Sequence, residues 1–266
     1  MLNKCHKIVL FSITFIGFAL LTNGIQANSA QAAIISLENP GFESPEQTNE
    51  PVPGAGFFDF DTPPGWTLYD PNGLIPEDAS LATSFTGGWK PSAAFFPIIP
   101  EGDQISSIFI APPAAGTGEV GFFQSPGVTI QPNTNYTLSA AIGNTPGIPG
   151  SEIFTGFPGY KLELLAGNTV IATDNNTVVA GEGEFATATV SYSSLNDDSY
   201  LGELLGIRLI NSNLDNNSGL DGGNGVEVNF DNVQLTATSV PEPTSILGYI
   251  MLGIGVFFQK RYSIFK

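Results

Sequence analysis

The sequence predicts an all-β protein built as an antiparallel β-sandwich, and three observations support this fold class. Short runs rich in β-branched and aromatic residues alternate between apolar and polar positions. Gly, Pro, Asn and Asp separate these runs, and no long segment shows helical periodicity. The 208 residues from 33 to 240 contain no cysteine, so this region must be stabilised by its own core, and its length suffices for one domain.

The strands are predicted in chain order from these runs. In the first half they cover residues 33–37, 66–69, 105–110 and 119–124, with Pro- and Gly-rich loops between them. In the second half they cover residues 136–142, 160–165, 169–172, 185–192, 204–210 and 226–235. Gly167 and Asn168 supply a two-residue hairpin turn. Strands of this length and spacing are typical of a sandwich.

The N-terminus has the three parts of a secretory signal peptide. Lys4 and Lys7 form a positive start, residues 8–21 are apolar, and residues 30–32 (Ala-Gln-Ala) offer a small-residue cleavage site. We therefore expect a signal peptide over residues 1–32 and a β-sandwich ectodomain over residues 33–237. An uncleaved signal anchor is the alternative.

The C-terminal segment, residues 238–266, ends in a short apolar run with a basic stop. Residues 246–258 are uncharged and span roughly 20 Å as a helix, against a hydrocarbon core of roughly 30 Å. Lys260 and Arg261 follow, and by the positive-inside rule they would hold the C-terminus in the cytoplasm. The segment predicts a marginal transmembrane helix with the ectodomain outside.

The order of motif, span and basic pair resembles the PEP-CTERM sorting signal of bacteria, whose motif is formed here by Pro241, Glu242 and Pro243. The resemblance implies processing by an exosortase. It also implies a transient inner-membrane anchor and a final location in the cell envelope or outside the cell. An ordinary single-pass tail anchor is the alternative.

Charge and composition exclude several functions. The region 33–240 carries three cations, Lys90, Lys161 and Arg208, against 24 acidic residues, since Glu242 lies outside it, a formal charge of −21. Nucleic acid is excluded as a partner because nothing would neutralise its phosphates. The only histidine and the only cysteine lie in the signal peptide, which excludes Ser-His-Asp catalysis and zinc sites of the His or Cys type. Carboxylate chemistry or a Ser-Lys pair remains, without a supporting motif, so we expect no catalysis.

Three short motifs resemble the galactose-binding-like jelly rolls, a superfamily that includes carbohydrate-binding modules. They are residues 39–43 (NPGFE) with the later Gly65-Trp66, residues 135–138 (NYTL), and residues 230–235 (FDNVQL). The resemblance implies a structural Ca²⁺ held by Glu43 and Asp231, with backbone carbonyls completing the oxygen shell. The alternative is a turn-capping Glu43 and a strand-end Asp231.

A sugar-binding module needs an exposed aromatic ring flanked by polar groups. Trp89 and Tyr69 are the candidates, and core packing is the alternative for Trp89, whereas Trp66 is expected to be buried. The phenylalanine pairs at 57/58, 95/96 and 122/123 should place some rings on the outer face of a sheet.

Two functions are therefore expected from the sequence. The first is a non-catalytic, exported envelope or matrix protein that binds extracellular polysaccharide. The second is a glycan hydrolase with paired carboxylates, which would have to face each other across a cleft roughly 5 to 9.5 Å apart.

Overall fold

A computed structural model of the chain describes residues 32–111, 118–147, 154, 156–214 and 226–240. These residues form twelve strands and no helix. Within them no helix has the length and apolarity needed to cross a membrane. Residues 1–31 of the predicted signal peptide and the predicted sorting segment from Pro241 onward lie outside the described residues.

Two antiparallel sheets form the sandwich. The strands of the first, seven-stranded sheet run in the order β10, β7, β12, β5, β4, β2, and β1 also pairs with β12. Their bounds are β1 Ala32–Ile35, β2 Gly56–Phe58, β4 Phe85–Pro91, β5 Ile105–Ile110, β7 Thr134–Asn144, β10 Glu184–Ser193 and β12 Val226–Ser239. The second, five-stranded sheet runs in the order β3, β6, β11, β8, β9. Its strands are β3 Thr67–Tyr69, β6 Val120–Gln124, β8 Tyr160–Ala166, β9 Thr169–Asn175 and β11 Leu205–Asn211.

The main core fills the space between the sheets. Alternate residues of each strand point inward, as the period of two requires. From the first sheet these include Ile108, Val228 and Phe230, and from the second Phe122 and Leu209, all without solvent exposure. Trp66 is buried in this core, as the sequence predicts, and its indole N–H donates to the Asn39 carbonyl oxygen at 3.1 Å.

Every run predicted as a strand is a strand, and the all-β sandwich prediction is confirmed. The strands β2 and β4 were not predicted. Strand β4 contains Gly87 and Gly88, which lower strand propensity. Gly87 is required there because a side-chain Cβ at this position would come within 2.3 Å of the Asp59 carbonyl oxygen.

Val52, Ala55, Leu81, Phe95 and Phe154, which lie outside the strands, cover the outer face of the first sheet. Next to β2, Asp59 and Gln47 contact the backbone of β4 and each other. The Asp59 amide donates to the Gly88 carbonyl oxygen at 3.2 Å, and the Gly88 amide donates to Asp59 Oδ1 at 3.0 Å. The Gln47 side-chain amide donates to Asp59 Oδ2 at 2.8 Å. This cover creates a second apolar cluster on the outer face of the first sheet, with Phe58, Trp89, Phe96 and Ile105 at its centre.

Candidate active site

A cavity of about 290 Å³ lies between the first sheet and its cover. It is on the outer face of the sheet, because the strand residues that line it alternate with those that enter the main core. Nine of its lining residues are apolar: Val52, Ala55, Phe58, Leu81, Phe85, Trp89, Phe95, Phe109 and Phe154. The two polar ones are Ser107 and Glu227. A small apolar chamber with a few polar groups is the usual form of a small-molecule site.

Aromatic rings form a continuous wall of this cavity. The centroids of Phe58 and Phe85 are 6.5 Å apart, those of Phe85 and Phe109 are 5.2 Å apart, and those of Phe109 and Phe154 are 5.5 Å apart. Ring faces carry negative electrostatic potential, so such a wall attracts a positive charge placed against it. The wall can therefore hold a planar apolar ligand and stabilise a cation formed from it.

Among the described residues that line the cavity, Glu227 is the only titratable one. Glu227 is 5% exposed, and burial raises the pKa of its carboxyl group above the ordinary value of 4.5. Hydrogen bonds from Asn229, Thr145 and Ser107 oppose this shift without reversing it. Burial therefore favours the protonated form, and Glu227 can act as a proton donor inside an apolar chamber.

The local sequence explains how Glu227 reaches the cavity. In β12 the residues VEVNF alternate, so Val226, Val228 and Phe230 enter the main core while Glu227 and Asn229 point to the other face. On that face Glu227 pairs in register with Phe109 of β5. Sequence reasoning missed Glu227 because a polar residue in an alternating strand usually faces water, and nothing in VEVNF shows that the outer face is covered.

Trp89, one of the two residues predicted to bind a ligand, lies in the cavity wall and is not an exposed sugar platform. It belongs to β4, is 6% exposed, and its indole N–H donates to the Ala55 carbonyl oxygen at 3.0 Å. The rings of Phe95 and Phe96 pack edge-on against it, with centroids 5.3 and 5.7 Å away. The missed strand and its cover explain why the side chain is buried.

Tyr69, the other predicted ligand-binding residue, lies elsewhere. It is in β3 of the second sheet, on its outer face, with the Arg208 guanidinium 4.3 Å from the ring centroid. Its hydroxyl donates to Glu119 Oε1 at 3.0 Å. The structure therefore does not bring Tyr69 and Trp89 together in one site.

Glu43 and Asp231, the predicted metal ligands, bind the same loop. Glu43 Oε1 accepts hydrogen bonds from the amides of Asp103 and Gln104 at 3.0 and 2.9 Å, and Asp231 Oδ2 accepts one from the amide of Glu101 at 2.9 Å. Burial, followed by the charges of Glu101 and Glu43, raises the pKa of Asp231 to about 7. Among the described residues no three acidic side chains converge as a ready metal site.

A buried acid in an aromatic chamber has the form of a small-molecule site rather than that of an exposed sugar platform. A family model described as HpiC1-like, HpiC1 cyclase, matches residues 33–236. The chain belongs to the HpiC1-like cyclase family. A search of curated proteins found no match.

Solved structures from Fischerella sp. TAU are similar over the whole domain. The Stig cyclase Fisc, in complex with (3Z)-3-(1-methyl-2-pyrrolidinylidene)-3H-indole, is 38% identical, with a TM-score of 0.69 over 79% of this chain and 100% of its own. A cyclase in complex with 4-(1H-indol-3-yl)butan-2-one is 39% identical, with a TM-score of 0.68 over 79% of this chain and 100% of its own.

These findings correct several expectations. The identification as a PEP-CTERM protein with a galactose-binding-like ectodomain is wrong, because the domain matches a cyclase family and the comparisons give no support for a sorting domain. The motif residues Pro241, Glu242, Pro243, Lys260 and Arg261 lie outside the described residues.

The predicted non-catalytic role is wrong for the same reason, and so are the predicted partners, polysaccharide and exosortase. The family is one of cyclases, and two of the similar Fischerella structures contain small indole compounds. The alternative of a glycan hydrolase is also wrong, because the matched family is one of cyclases.

Proposed function

We propose that this protein is a cyclase that closes a ring in an indole-bearing small molecule by protonating it with Glu227. The observation that carries the proposal is the single buried carboxyl group, with a raised pKa, at the wall of an aromatic chamber. The cyclase family and the indole ligands of the Fischerella proteins support the substrate class.

The chemistry follows from the geometry. An apolar substrate has no charged group that could form an ion pair with the protein. It is therefore bound by stacking against Phe58, Phe85 and Phe109 and by exclusion of water. Glu227 gives its proton to a carbon–carbon double bond of the substrate, and a carbocation and the Glu227 carboxylate form together. A second double bond of the same substrate attacks the cation and closes the ring. The new cation then loses a proton to the Glu227 carboxylate, which restores the acid, so substrate and product are isomers.

Burial assists both the protonation of the substrate by Glu227 and the ring closure of the cation that forms. A carboxyl group in water is ionised at neutral pH, whereas the raised pKa of Glu227 favours retention of the proton that is to be donated. The aromatic wall stabilises the cation without offering a nucleophile that could trap it. The exclusion of water protects the cation from hydration, which would end the reaction before ring closure.

The proposal is tested by incubating the mature domain with an indole whose C3 side chain contains two carbon–carbon double bonds. An isomeric product with one more ring is expected by mass spectrometry and NMR, and none is expected from Glu227→Gln. Turnover by Glu227→Gln at the wild-type rate would contradict the assignment of the acid.

A structural calcium ion at Glu43 and Asp231 is part of the proposal. Their donors are hard carboxylate oxygens, which is the chemistry that calcium requires, and both side chains already bind the loop at residues 101–104. A cation there would offset the burial and, after it, the repulsion from Glu101 and Glu43 that raise the pKa of Asp231, and backbone carbonyls would have to complete the shell. Its contribution would be to fix this loop to β12, the strand that carries Glu227.

Export is also proposed. The family match begins at residue 33, directly after the predicted cleavage site, which supports a signal peptide over residues 1–32 and a catalytic domain that acts outside the inner membrane. The N-terminal sequence of the mature protein tests this. A first residue at or near Ala33 is expected, and a mature chain that begins at Met1 would contradict it.

A further inference from the structure

The acid has two buried neighbours that do not line the cavity. Thr145, directly after β7, and Asn229, two positions along β12, are 1% and 0% exposed. The Thr145 hydroxyl lies 2.9 Å from Glu227 Oε1 and 2.7 Å from Asn229 Oδ1. The Asn229 side-chain amide donates to Glu227 Oε1 at 2.9 Å.

The number of donor hydrogens on Asn229 and Thr145 determines which hydrogen bonds can form among these three side chains. Asn229 has two amide hydrogens, and one goes to Glu227 Oε1 while the other goes to the Ser106 carbonyl oxygen at 3.2 Å. Its Oδ1 can therefore only accept, and the Thr145 hydroxyl is the donor that reaches it. Thr145 has one hydrogen for two acceptors, so it can serve Asn229 or Glu227 but not both.

The need of Glu227 for that hydrogen changes during the proposed reaction. With the proton of neutral Glu227 on Oε2, Oε1 accepts from Asn229 and does not need the Thr145 hydrogen. Once Glu227 has given its proton away, it is a buried carboxylate with no charged group among the neighbours that act on its pKa. Those neighbours are Asn229 on β12, Thr145 after β7 and Ser107 on β5, all of them neutral.

We infer that Thr145 is a positioning residue whose hydroxyl hydrogen turns from Asn229 Oδ1 to Glu227 Oε1 when Glu227 donates its proton. The Thr145 O–H bond does not break, and only its hydrogen bond changes partner. The switch stabilises the carboxylate at the moment it forms, in a site where no cation does so. The hydrogen-bond switch itself follows from the contacts, and its catalytic meaning rests on the proposed function.

The test compares Thr145→Val, which keeps the shape and removes the hydroxyl, with Thr145→Ser, which keeps the hydroxyl. The infrared carbonyl band of protonated Glu227 is identified by its loss in Glu227→Gln and followed through pH. A hydrogen bond to a charged group is worth enough to raise the midpoint by about one to two pH units in Thr145→Val. In Thr145→Ser the midpoint should stay close to that of the wild type.

Turnover is measured on the same variants with the indole probe described above. In Thr145→Val, kcat should fall by about tenfold for each unit of the midpoint shift, with KM little changed, because the substrate does not contact Thr145. Thr145→Ser should restore kcat. Thr145→Ala removes the same donor with less bulk and carries the test if Thr145→Val does not fold.

The outcomes separate this inference from the proposed function. An unchanged midpoint in Thr145→Val overturns the switch, even if Glu227→Gln is inactive. A shifted midpoint together with full turnover by Glu227→Gln supports the hydrogen-bond switch and overturns its catalytic role.

Discussion

Replacing Glu227 by glutamine removes the acidic proton and little else. The amide has the shape of the neutral carboxyl group, and its oxygen can still accept from the Asn229 side-chain amide, which donates at 2.9 Å to Glu227 Oε1. A general acid contributes about 10²- to 10⁴-fold to a rate, or about 3–5 kcal/mol at 1.36 kcal/mol per factor of ten. We expect kcat to fall by that factor in the variant.

The affinity of Glu227→Gln for an indole ligand should stay close to that of the wild type even though its kcat falls. The aromatic wall is unchanged in Glu227→Gln, and a neutral amide is as compatible with an apolar ligand as a neutral acid. We therefore expect the dissociation constant for 4-(1H-indol-3-yl)butan-2-one to stay within about threefold, a difference of less than 1 kcal/mol. Titration calorimetry measures it. Glu203→Gln, an exposed glutamate outside the cavity, is the control for the loss of a carboxyl group.

The same variant tests the raised pKa through stability. Folded Glu227 holds its proton at a pH where the unfolded chain, with a pKa near 4.5, has lost it, so the wild type loses stability as pH rises from 4.5 to the folded pKa. Glutamine cannot ionise, so its stability advantage over the wild type should grow across that interval and then stay constant. Urea unfolding at several pH values measures it. A Glu227→Gln variant with full kcat, or with a stability difference that does not change with pH, would refute the reasoning.

Three further predictions follow from the other site residues. Trp89→Phe should lower the unfolding free energy by about 1–2 kcal/mol, because it loses the hydrogen bond to the Ala55 carbonyl and some volume, and should weaken indole binding, as measured by denaturation and calorimetry. Calcium at 100 times its dissociation constant should stabilise the wild type by about 2.7 kcal/mol, and Asp231→Asn should abolish most of this gain in thermal unfolding. Tyr69→Phe should cost about 0.5–1.5 kcal/mol through its lost bond to Glu119 and leave kcat/KM unchanged; reduced turnover would place Tyr69 in the site after all.

The strands of the sandwich could be predicted from the sequence because period-two alternation marks a strand that is buried on one face. Runs such as FATATVSY (residues 185–192) show it clearly and are strands. Strand β4 carries Gly87 and Gly88 where Asp59 and Gln47 approach it, and Gly56 of β2 lies against the β4 backbone, so their alternation is interrupted. The two missed strands are also the ones that contribute Phe58, Phe85 and Trp89 to the cavity.

The active site could not be predicted because it depends on which outer face is covered. Glu227 and Glu163 both occupy alternating strands, and both have a raised pKa caused first by burial. Glu163 meets the Arg208 guanidinium at 2.8 Å, whereas Glu227 meets only neutral donors beside a cavity. Arg208 is the register partner of Glu163 on β11, whereas the residues that cover the face around Glu227, such as Val52 and Phe95, are distant from β12 in sequence. The phenylalanine pairs were the one available signal, since they predict rings on an outer face, and Phe58 and Phe95 do line the cavity there.

Deuterium transfer tests the central claim, that a proton from Glu227 starts the ring closure, most directly. The carboxyl proton exchanges with solvent, so the reaction in D₂O with the alkenyl indole should place one deuterium from the acid on a carbon of the cyclised product. NMR locates that deuterium, and mass spectrometry shows the added mass unit. A cyclised product with no carbon-bound deuterium would contradict the account, as would equal deuterium incorporation by Glu227→Gln.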